Sequence, residues 1–277
     1  TSPYSHSLTN GNCYQYYVLA TNGAGLTNTS TQTPTPATKV STTAPTVSGC
    51  SVAEGTNPGY QYQTGTTLYY NSAYTGNFAV TVTPTDTVAG IQKVNFPTLQ
   101  TGFTPTSTDD TTSPYTQTYA WTTSATTEPG AKNATVTSNS GLTNTCGFTV
   151  TKDITAPAGG SITYTTQYIN NLSIDPSMTV SDGTDTGSGL NTATRTLQRS
   201  VGTLSNQVCS SYSAFATTTM GGTYPNVTDA QTIESGKCYK YRWQVTDNVG
   251  NTATYVSNEE FKVDTSIPNT SVSGVTE

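Results

Sequence analysis

The feature that most constrains this chain is an internal repeat whose copies lie far apart in the sequence. The segment GNCYQYYVLATNGAGLTNTS begins at Gly11, and GKCYKYRWQVTDNVGNTATY repeats it from Gly236 at a constant offset of 225 residues. A weaker third copy, ATVTSNSGLTNTC, runs from Ala134 to Cys146. The chain is therefore predicted to contain the same structural unit more than once.

A similar junction, VSTTAP, KDITAP or VDTSIP, follows each copy, and its prolines Pro45, Pro157 and Pro268 are 112 and 111 residues apart. This period exceeds the roughly 20–50 residues of a solenoid repeat and suits a whole domain with its own core. We expect tandem domains within a longer array. The predicted units are the C-terminal part of one domain at 1–44, complete domains at 45–156 and 157–267, and the start of a following domain at 268–277.

Composition favours an all-β protein. Charged residues make up only 9% of the chain, Tyr outnumbers Phe by 18 to 6, and 24 Gly and 14 Pro interrupt it at short intervals. Aromatic and β-branched residues favour strands, and frequent turn residues divide them into short runs. The low mean hydropathy would also fit disorder, but disordered chains are usually rich in charge and poor in aromatics.

The segment after Gly236 shows most clearly the alternation of apolar and polar residues that is typical of a strand. A period of two places Tyr239, Tyr241 and Trp243 on one face, which we expect to be buried, with polar residues opposite. Asp247–Asn251 is predicted to form a hairpin loop. Two packed sheets need bulky inward side chains, so the predicted fold is all-β, with tandem immunoglobulin-like β-sandwich domains.

The same region resembles a known family. CYKYRWQVTDNVGNTATY followed by VDTSIP is similar to the Ig-like repeats of very large bacterial cell-surface proteins of the adhesin type. DTGSGLNTATRT, from Asp185, also looks like that repeat, and DTVAGIQKVNFP, from Asp86, parallels it. The central domain, which ends TNTCGFTVTKDITAP, is closer to a hyaline-repeat style of Ig-like module. The resemblance implies an extracellular setting, and its motifs are structural.

The repeat predicts how the five cysteines pair. Cys209 and Cys238 fall in one predicted domain, and Cys50 and Cys146 lie near the two ends of the other. We expect one disulfide in each domain, each contributing on the order of 3–5 kcal/mol by loop-closure entropy. Because Cys13 aligns with Cys238, its partner is expected to lie outside this chain. The alternative, free buried cysteines, would require a reducing compartment that the composition does not favour.

The sequence offers little for catalysis. It has one histidine, His6, and lacks the GxSxG, HExxH and phosphate-loop patterns, so we predict that it is not an enzyme. Without a CxxC or Cys/His pair, a zinc site is not expected. A net charge of −6 argues against nucleic-acid binding, and no apolar run has the length of a membrane span. Asp109 and Asp110, in a turn-like segment, and Glu259 and Glu260 are expected on solvated faces.

Calcium is the one cofactor that the residues suggest, because Asp-bearing loops and junctions can coordinate it. The loop from Asp182 fails the EF-hand pattern, since Ala193 occupies the position of the closing Glu. The first junction has Ser41 at the place of Asp264. The alternative is that these aspartates form Asx-turns and hairpin loops. The candidate ligands are Asp153, Asp182, Asp185, Asp247 and Asp264.

Two classes of function remain open, both at the cell surface or outside the cell. The first is a non-catalytic stalk, in which short proline junctions join neighbouring repeats of one long chain into a semi-rigid spacer. The second is direct binding of glycans, surface proteins or an S-layer-like or filament lattice by exposed tyrosines, such as Tyr17 or those within Gly59–Tyr70. Accessory domains of a large secreted enzyme are a further possibility. No exposed constellation recurs in each repeat, which favours the spacer.

Overall fold

The structure is a computed structural model that describes residues 5–28 and 35–268. The chain divides into two compact units, unit 1 (residues 1–152) and unit 2 (residues 153–277). Strands dominate both units, and the helical structure among the described residues is one 3-10 turn at Pro58–Tyr60. The predicted class, all-β with tandem Ig-like β-sandwich domains, is confirmed. The predicted domain boundaries remain predictions, and 268–277 lies outside the described residues except for Pro268.

Residues 5–44 of unit 1 contain a small antiparallel sheet of β1 (Cys13–Tyr14) and β2 (Thr38–Lys39). Alignment with the strand after Gly236 predicts a longer strand here, with Tyr14, Tyr16, Val18 and Ala20 on an inward face. In the structure Tyr16 and Val18 are 40% and 75% exposed. The described residues supply only two short strands at this place, so no second layer covers that face.

The rest of unit 1 is a two-sheet sandwich. One sheet has four strands and the other six, and in the larger sheet one pair, Thr67–Tyr70 with Thr143–Lys152, is parallel while the other pairs are antiparallel. The strands are β3 (Thr46–Glu54), β4 (Gln61–Thr64), β5 (Thr67–Tyr70), β6 (Gly76–Thr85), β7 (Ile91–Phe96), β8 (Phe103–Thr104), β9 (Thr108–Asp110), β10 (Tyr115–Trp121), β11 (Gly130–Ser138) and β12 (Thr143–Lys152).

The order of the four-stranded sheet is β3-β6-β10-β8, and that of the six-stranded sheet is β4-β5-β12-β11-β7-β9. Large aromatic side chains from both sheets fill the space between them, including Phe78, Tyr119, Trp121 and Phe148, all at most 2% exposed. Two sheets packed about 10 Å apart need side chains of this size to close the gap. The core of unit 1 is therefore a closed aromatic layer.

A second local prediction for unit 1 was also wrong. Asp109 and Asp110 belong to strand β9, which pairs with β7, whereas the sequence indicated a turn. Asp109 lies opposite Asn95 and accepts hydrogen bonds from Asn95 Nδ2 at 2.7 Å and from Lys93 Nζ at 2.8 Å. These cross-strand partners hold the polar segment in the sheet.

Unit 2 is also built from two sheets, of four and seven strands. The seven-stranded sheet contains the two longest strands of the unit, which pair with each other along most of their length. The strands are β13 (Ser161–Thr163), β14 (Gln167–Ile169), β15 (Ser177–Ser181), β16 (Leu190–Ser205), β17 (Val208–Ser210), β18 (Ala216–Thr217), β19 (Met220–Thr223), β20 (Asn226–Asp229), β21 (Lys237–Asp247), β22 (Thr252–Val256) and β23 (Phe261–Val263).

Strand β21 lies at the centre of unit 2. The four-stranded sheet runs β13-β15-β20-β19; in the other, the main path is β14-β23-β21-β16-β17, with β22 pairing β21 and β18 pairing β16. Tyr239, Tyr241, Trp243 and Val245 of β21 are at most 2% exposed, as their alternation predicted. The predicted hairpin loop joins β21 to β22. Its Asp247 amide donates to the Asn251 carbonyl at 3.0 Å.

Each unit contains one disulfide, with the pairing expected from the sequence. Cys50–Cys146 joins β3 of one sheet of unit 1 to β12 of the other, across a sequence separation of 96. Cys209–Cys238 joins β17 to β21 within the seven-stranded sheet of unit 2, across a separation of 29. Cys13 is a free, exposed thiol. Within the described residues, no helix is both long enough and apolar enough to cross a bilayer.

Candidate functional site

Three aspartates of unit 2 form the acidic loop cluster, which we define as Asp153, Asp185 and Asp247. Asp153 is the first residue of the unit, Asp185 lies in the loop between β15 and β16, and Asp247 is the last residue of β21. One carboxylate oxygen of each lies within 4.8 Å of those of the other two. Tertiary structure thus brings together three of the five aspartates that the sequence suggested as calcium ligands.

Backbone amides orient two of these carboxylates. Asp185 Oδ1 accepts hydrogen bonds from the amides of Gly187 at 3.0 Å and Gly189 at 2.7 Å. Asp247 Oδ1 accepts them from the amides of Val249 and Asn251, both at 2.9 Å. Aspartate often closes a turn on its own backbone in this way. The Asx-turns foreseen as the alternative are therefore present, and they position the carboxylates toward one another.

The third carboxylate is held by the loop that carries Asp185. Asp153 Oδ2 accepts a hydrogen bond from the amide of Ser188 at 2.7 Å, and Asp153 Oδ1 one from the amide of Thr155 at 3.1 Å. Gly187 allows this approach, because a Cβ at that position would collide with the Asp153 carboxylate. A glycine at this position thus lets the loop and the carboxylate meet.

The acidic loop cluster has no positive partner among the described residues: none of its carboxylates forms an ion pair with Lys, Arg or His there. Asp153 and Asp247 are buried, at 4% and 1% exposure, and Asp185 is half-buried. Burial raises the pKa of Asp247, and the nearby negative charge of Asp153 adds to this, while hydrogen bonds from Asn251 and Val249 oppose it. Like charges thus lie close together in a place with limited solvation.

Ser188 and Gly187 were missed by sequence reasoning. Ser188 is only 4% exposed, and its hydroxyl oxygen is buried without a hydrogen-bond partner in the described structure. A signal was available, because the turn Asp185–Gly189 reads DTGSG whereas the parallel turn Asp86–Gly90 reads DTVAG. Only Val88 and Ala89 differ, and they stand at the places of Gly187 and Ser188.

Asp182 lies outside the acidic loop cluster and has its own cation. Its Oδ2 accepts hydrogen bonds from Arg195 Nε at 2.8 Å and from an Arg195 terminal nitrogen at 2.5 Å. Its Oδ1 accepts one from Trp243 Nε1 at 2.9 Å. Both oxygens of this buried carboxylate are therefore occupied by donors on neighbouring strands, which suits a structural role.

Asp264 is also separate from the cluster. It follows β23 and is exposed, and its Oδ1 accepts a hydrogen bond from the amide of Ser266 at 2.9 Å. An exposed Asp that closes a local turn is an ordinary feature of a loop. The structure therefore leaves Asp182 and Asp264 without the shared geometry of the other three.

A further buried carboxylate, Asp229, did not stand out in the sequence. It has no exposed surface, and it accepts hydrogen bonds from Tyr241 Oη at 2.8 Å, from Arg199 at 3.1 Å and from the Thr218 hydroxyl. Burial raises the pKa of Tyr241 well above its usual range, and the Asp229 charge adds to the effect. Every contact of this network is internal, so it stabilises β16, β20 and β21 rather than forming an open site.

The tyrosines proposed for glycan binding are divided between core and surface. Tyr70 is fully buried, and its hydroxyl donates to the Ala125 carbonyl at 2.9 Å. Tyr17 is 62% exposed. Tyr60 and Tyr74 stack on each other with ring centroids 3.5 Å apart, and Tyr74 is 41% exposed. Only part of the predicted tyrosine surface is thus accessible.

Comparison with known proteins finds distant structural matches but no family. No family model matches the sequence, and no curated protein sequence matches it. Among solved structures, titin domains I67–I69 are 12% identical, with 80% of this chain and 66% of that chain covered and a TM-score of 0.31. The Ig1-2 module of the Drosophila receptor protein tyrosine phosphatase DLAR is 11% identical, with 80% and 100% covered and a TM-score of 0.27. Such low scores carry no argument about function, and the fold class rests on the sheets themselves.

Proposed function

We propose that this chain is a non-catalytic spacer of tandem Ig-like domains in an extracellular, cell-surface protein of the adhesin type. The observation that carries the proposal is that each unit has a closed core with its own disulfide. Disulfides persist in oxidising compartments, which supports a location outside the cell.

The buried polar chemistry of unit 2 supports the same function. Its two buried arginine-carboxylate pairs, Arg195 with Asp182 and Arg199 with Asp229, are used for internal hydrogen bonds. Catalysis needs a nucleophile, base or electrophile that a substrate can reach. Groups that are occupied in this way rigidify a domain instead.

A spacer that carries load should resist extension. Because Cys50 and Cys146 join the two sheets of unit 1, pulling on the oxidised protein can extend only the chain outside this pair. The 96-residue separation corresponds to about 320–350 Å of extended chain. This length is hidden as long as the disulfide is intact.

Single-molecule force spectroscopy of the full chain tests the proposal. We expect the extension released by unit 1 to increase by about 320–350 Å when Cys50 and Cys146 are both replaced by serine. Unit 2 in the same molecule provides the matched control, since its disulfide is untouched. If unit 1 of the oxidised protein unfolds at forces no higher than unit 1 of the double variant, while unit 2 unfolds alike in both, the load-bearing spacer is wrong.

Direct binding remains a second candidate, and the stacked pair Tyr60 and Tyr74 favours it. Aromatic faces at a surface bind sugars through stacking and apolar contact. A glycan array probed with the full chain would show selective binding that the Tyr74→Ala variant loses and the Tyr168→Ala variant keeps. Tyr168 is a suitable control because it is 54% exposed and lies in unit 2. Absence of selective binding on the array would remove this candidate.

A further inference from the structure

We propose that the acidic loop cluster of unit 2 is a calcium site, with Asp153, Asp185 and Asp247 as ligands and the Ser188 hydroxyl as a further oxygen at the site. This inference rests on the geometry of unit 2 and holds whether or not the array acts as a spacer.

The geometry of the carboxylates suits a hard divalent cation. Calcium takes oxygen ligands at about 2.3–2.6 Å, so two ligands on opposite sides of one ion are about 4.8 Å apart. The three carboxylate oxygens lie within 4.8 Å of one another. The cluster contains only oxygen donors, which favours calcium or magnesium over zinc or copper. Magnesium demands a tighter octahedral shell at about 2.0–2.1 Å, which loops of this kind rarely supply.

Charge gives a second reason. Elsewhere in unit 2, the buried carboxylates of Asp182 and Asp229 are each paired with an arginine. Asp153 and Asp247 are buried to a similar degree, yet no described cation faces them. Buried charges in proteins are normally paired or coordinate a metal. A bound divalent cation would supply the compensation that the arginines supply elsewhere.

The orphaned hydroxyl of Ser188 is the independent observation. Ser188 is 96% buried, by its exposure of 4%, and its Oγ has no hydrogen-bond partner in the described structure. Its amide nitrogen is 2.7 Å from Asp153 Oδ2, and covalent geometry keeps a serine Oγ within about 4 Å of its own amide nitrogen. The unsatisfied oxygen is therefore within about 7 Å of that Asp153 carboxylate oxygen. A buried hydroxyl without a partner is destabilising unless something binds it.

Unit 1 provides an internal comparison for the proposed ligands of unit 2. In unit 1 the turn Asp86–Gly90 has the same form, yet Ala89 replaces the serine and Val88 the glycine that admits Asp153. Ser138 stands at the place of Asp247. The loop scaffold therefore forms without the additional carboxylates, and folding alone does not explain why unit 2 has them.

Titration calorimetry with calcium chloride on the chelator-treated, oxidised full chain tests the assignment. We expect one saturable site per chain, with a Kd of about 10⁻⁴ to 10⁻³ M, the range of extracellular modules. Asp247→Ser and Asp185→Asn should each weaken binding at least about tenfold, and Ser188→Ala should weaken it less. Asp86→Asn, in the matching turn of unit 1, should leave binding unchanged.

Three results would overturn the proposal. The first is the absence of any saturable heat well above that concentration range, and the second is wild-type affinity in both Asp247→Ser and Asp185→Asn. The third is magnesium binding as tight as that of calcium. Near-ultraviolet circular dichroism checks that each variant is folded. Asp247→Ser protects the test against misfolding, since serine occupies the same place in the hairpin of unit 1.

Discussion

The two units contain the same loop scaffold at the same place in the repeat. Asp86 Oδ1 in unit 1 accepts hydrogen bonds from the amides of Val88 at 2.9 Å and Ala89 at 2.8 Å, as Asp185 does from its own turn in unit 2. Gly90 and Gly189 close the two turns with φ angles of 75° and 81°. Left-handed backbone of this kind favours glycine.

In each unit, an asparagine of a hairpin donates a hydrogen bond to this turn. Asn139 Nδ2 donates to the Ala89 carbonyl at 2.9 Å, and Asn248 Nδ2 donates to the Ser188 carbonyl at 2.8 Å. The amides of both asparagines also bond the carbonyl of the glycine that ends the turn, at 3.0 and 2.9 Å. One Asp, one Gly and one Asn are therefore enough to build the scaffold.

The difference between the units lies in what surrounds that scaffold. In unit 1, Ser41, Val88, Ala89 and Asn139 line one cavity of about 180 Å³. In unit 2, the Asp153 carboxylate stands at the place of Ser41 and the buried Ser188 hydroxyl at the place of Ala89. Asp247 stands at the place of Ser138, the residue before Asn139. The loops of unit 1 fold without these groups, so folding alone does not account for them in unit 2, which agrees with the calcium site proposed above. The predictions below test this contrast between the units.

The largest expected losses of stability come from removing the two disulfides, and the loss should differ between the units. Replacing Cys50 and Cys146 by serine should destabilise unit 1 by about 4.7 kcal/mol, and replacing Cys209 and Cys238 should destabilise unit 2 by about 3.6 kcal/mol, because the first closes the longer loop. Differential scanning calorimetry of each double variant would show which transition moves. An equal or reversed order of the two losses would contradict loop entropy as the cause.

The second largest loss of stability is expected when the buried Asp229 network of unit 2 is disrupted. Asp229→Ala should destabilise unit 2 by about 3–5 kcal/mol, because it leaves Arg199 without its partner and removes the acceptor of Tyr241. Denaturant unfolding read by Trp243 fluorescence in a Trp121→Phe background would report on unit 2. Trp121 is the better tryptophan to replace, since its Nε1 has no partner in the described structure.

Asp109→Ala in unit 1 is the matched control, and its effect is read from the unit 1 transition in differential scanning calorimetry, because Trp243 reports only on unit 2. Asp109 forms an ion pair with Lys93 at 2.8 Å, but both side chains are exposed, by 43% and 36%. Hydrogen bonds from Lys93 and Asn95 lower the pKa of Asp109, yet solvent and salt screen an exposed pair. If Asp109→Ala lost as much stability as Asp229→Ala, burial would not be the reason that the Asp229 network stabilises unit 2.

A transplant tests the contrast between the loops most directly. Unit 1 with Ser41→Asp, Val88→Gly, Ala89→Ser and Ser138→Asp should acquire the calcium site of unit 2. Calorimetry should then count two sites per chain instead of one. At a calcium concentration of about 100 times Kd, binding would stabilise unit 1 by about 2.7 kcal/mol. A stoichiometry that stays at one would show that these four positions do not suffice.

The smallest expected effect concerns alkaline pH. Burial raises the pKa of Tyr164 in unit 2 from 10.0 to about 12, so the unfolded chain ionises first as the pH rises. The contribution of this neutral phenol is complete below pH 10 and is lost between pH 10 and about pH 12. The stability advantage of wild type over Tyr164→Phe should therefore shrink across this window. A constant difference in melting temperature across the window would contradict the prediction.

Much of the fold was predictable because its signals are local. Alternation from Tyr239 to Val245 predicted a buried strand face, and the loop after Asp247 predicted a hairpin. Repeat spacing also predicted the two disulfide pairings. The strand containing Asp109 was missed, because a polar segment joins a sheet through cross-strand partners that no local pattern reveals.

The site was predictable only in part. Five aspartates were plausible ligands, since each lies in a loop or junction, and composition could not rank them. Asp182 looked equivalent to Asp185, but the register of β16 and β21 places Arg195 and Trp243 against it. Ser188 had no motif of its own. Its significance emerged only when its hydroxyl proved to be buried without a partner.

By itself, the sequence determined that this chain forms repeated β-sandwiches with one disulfide in each. Strand alternation, turn residues and repeat period are encoded over short distances, and they need no knowledge of the rest of the molecule. Only the tertiary structure decided which carboxylates share a site. Asp153, Asp185 and Asp247 are far apart in the chain, and they meet because the first residue of unit 2, the loop before β16 and the end of β21 lie together. Proximity between such residues is a property of packing and register, which no local pattern contains.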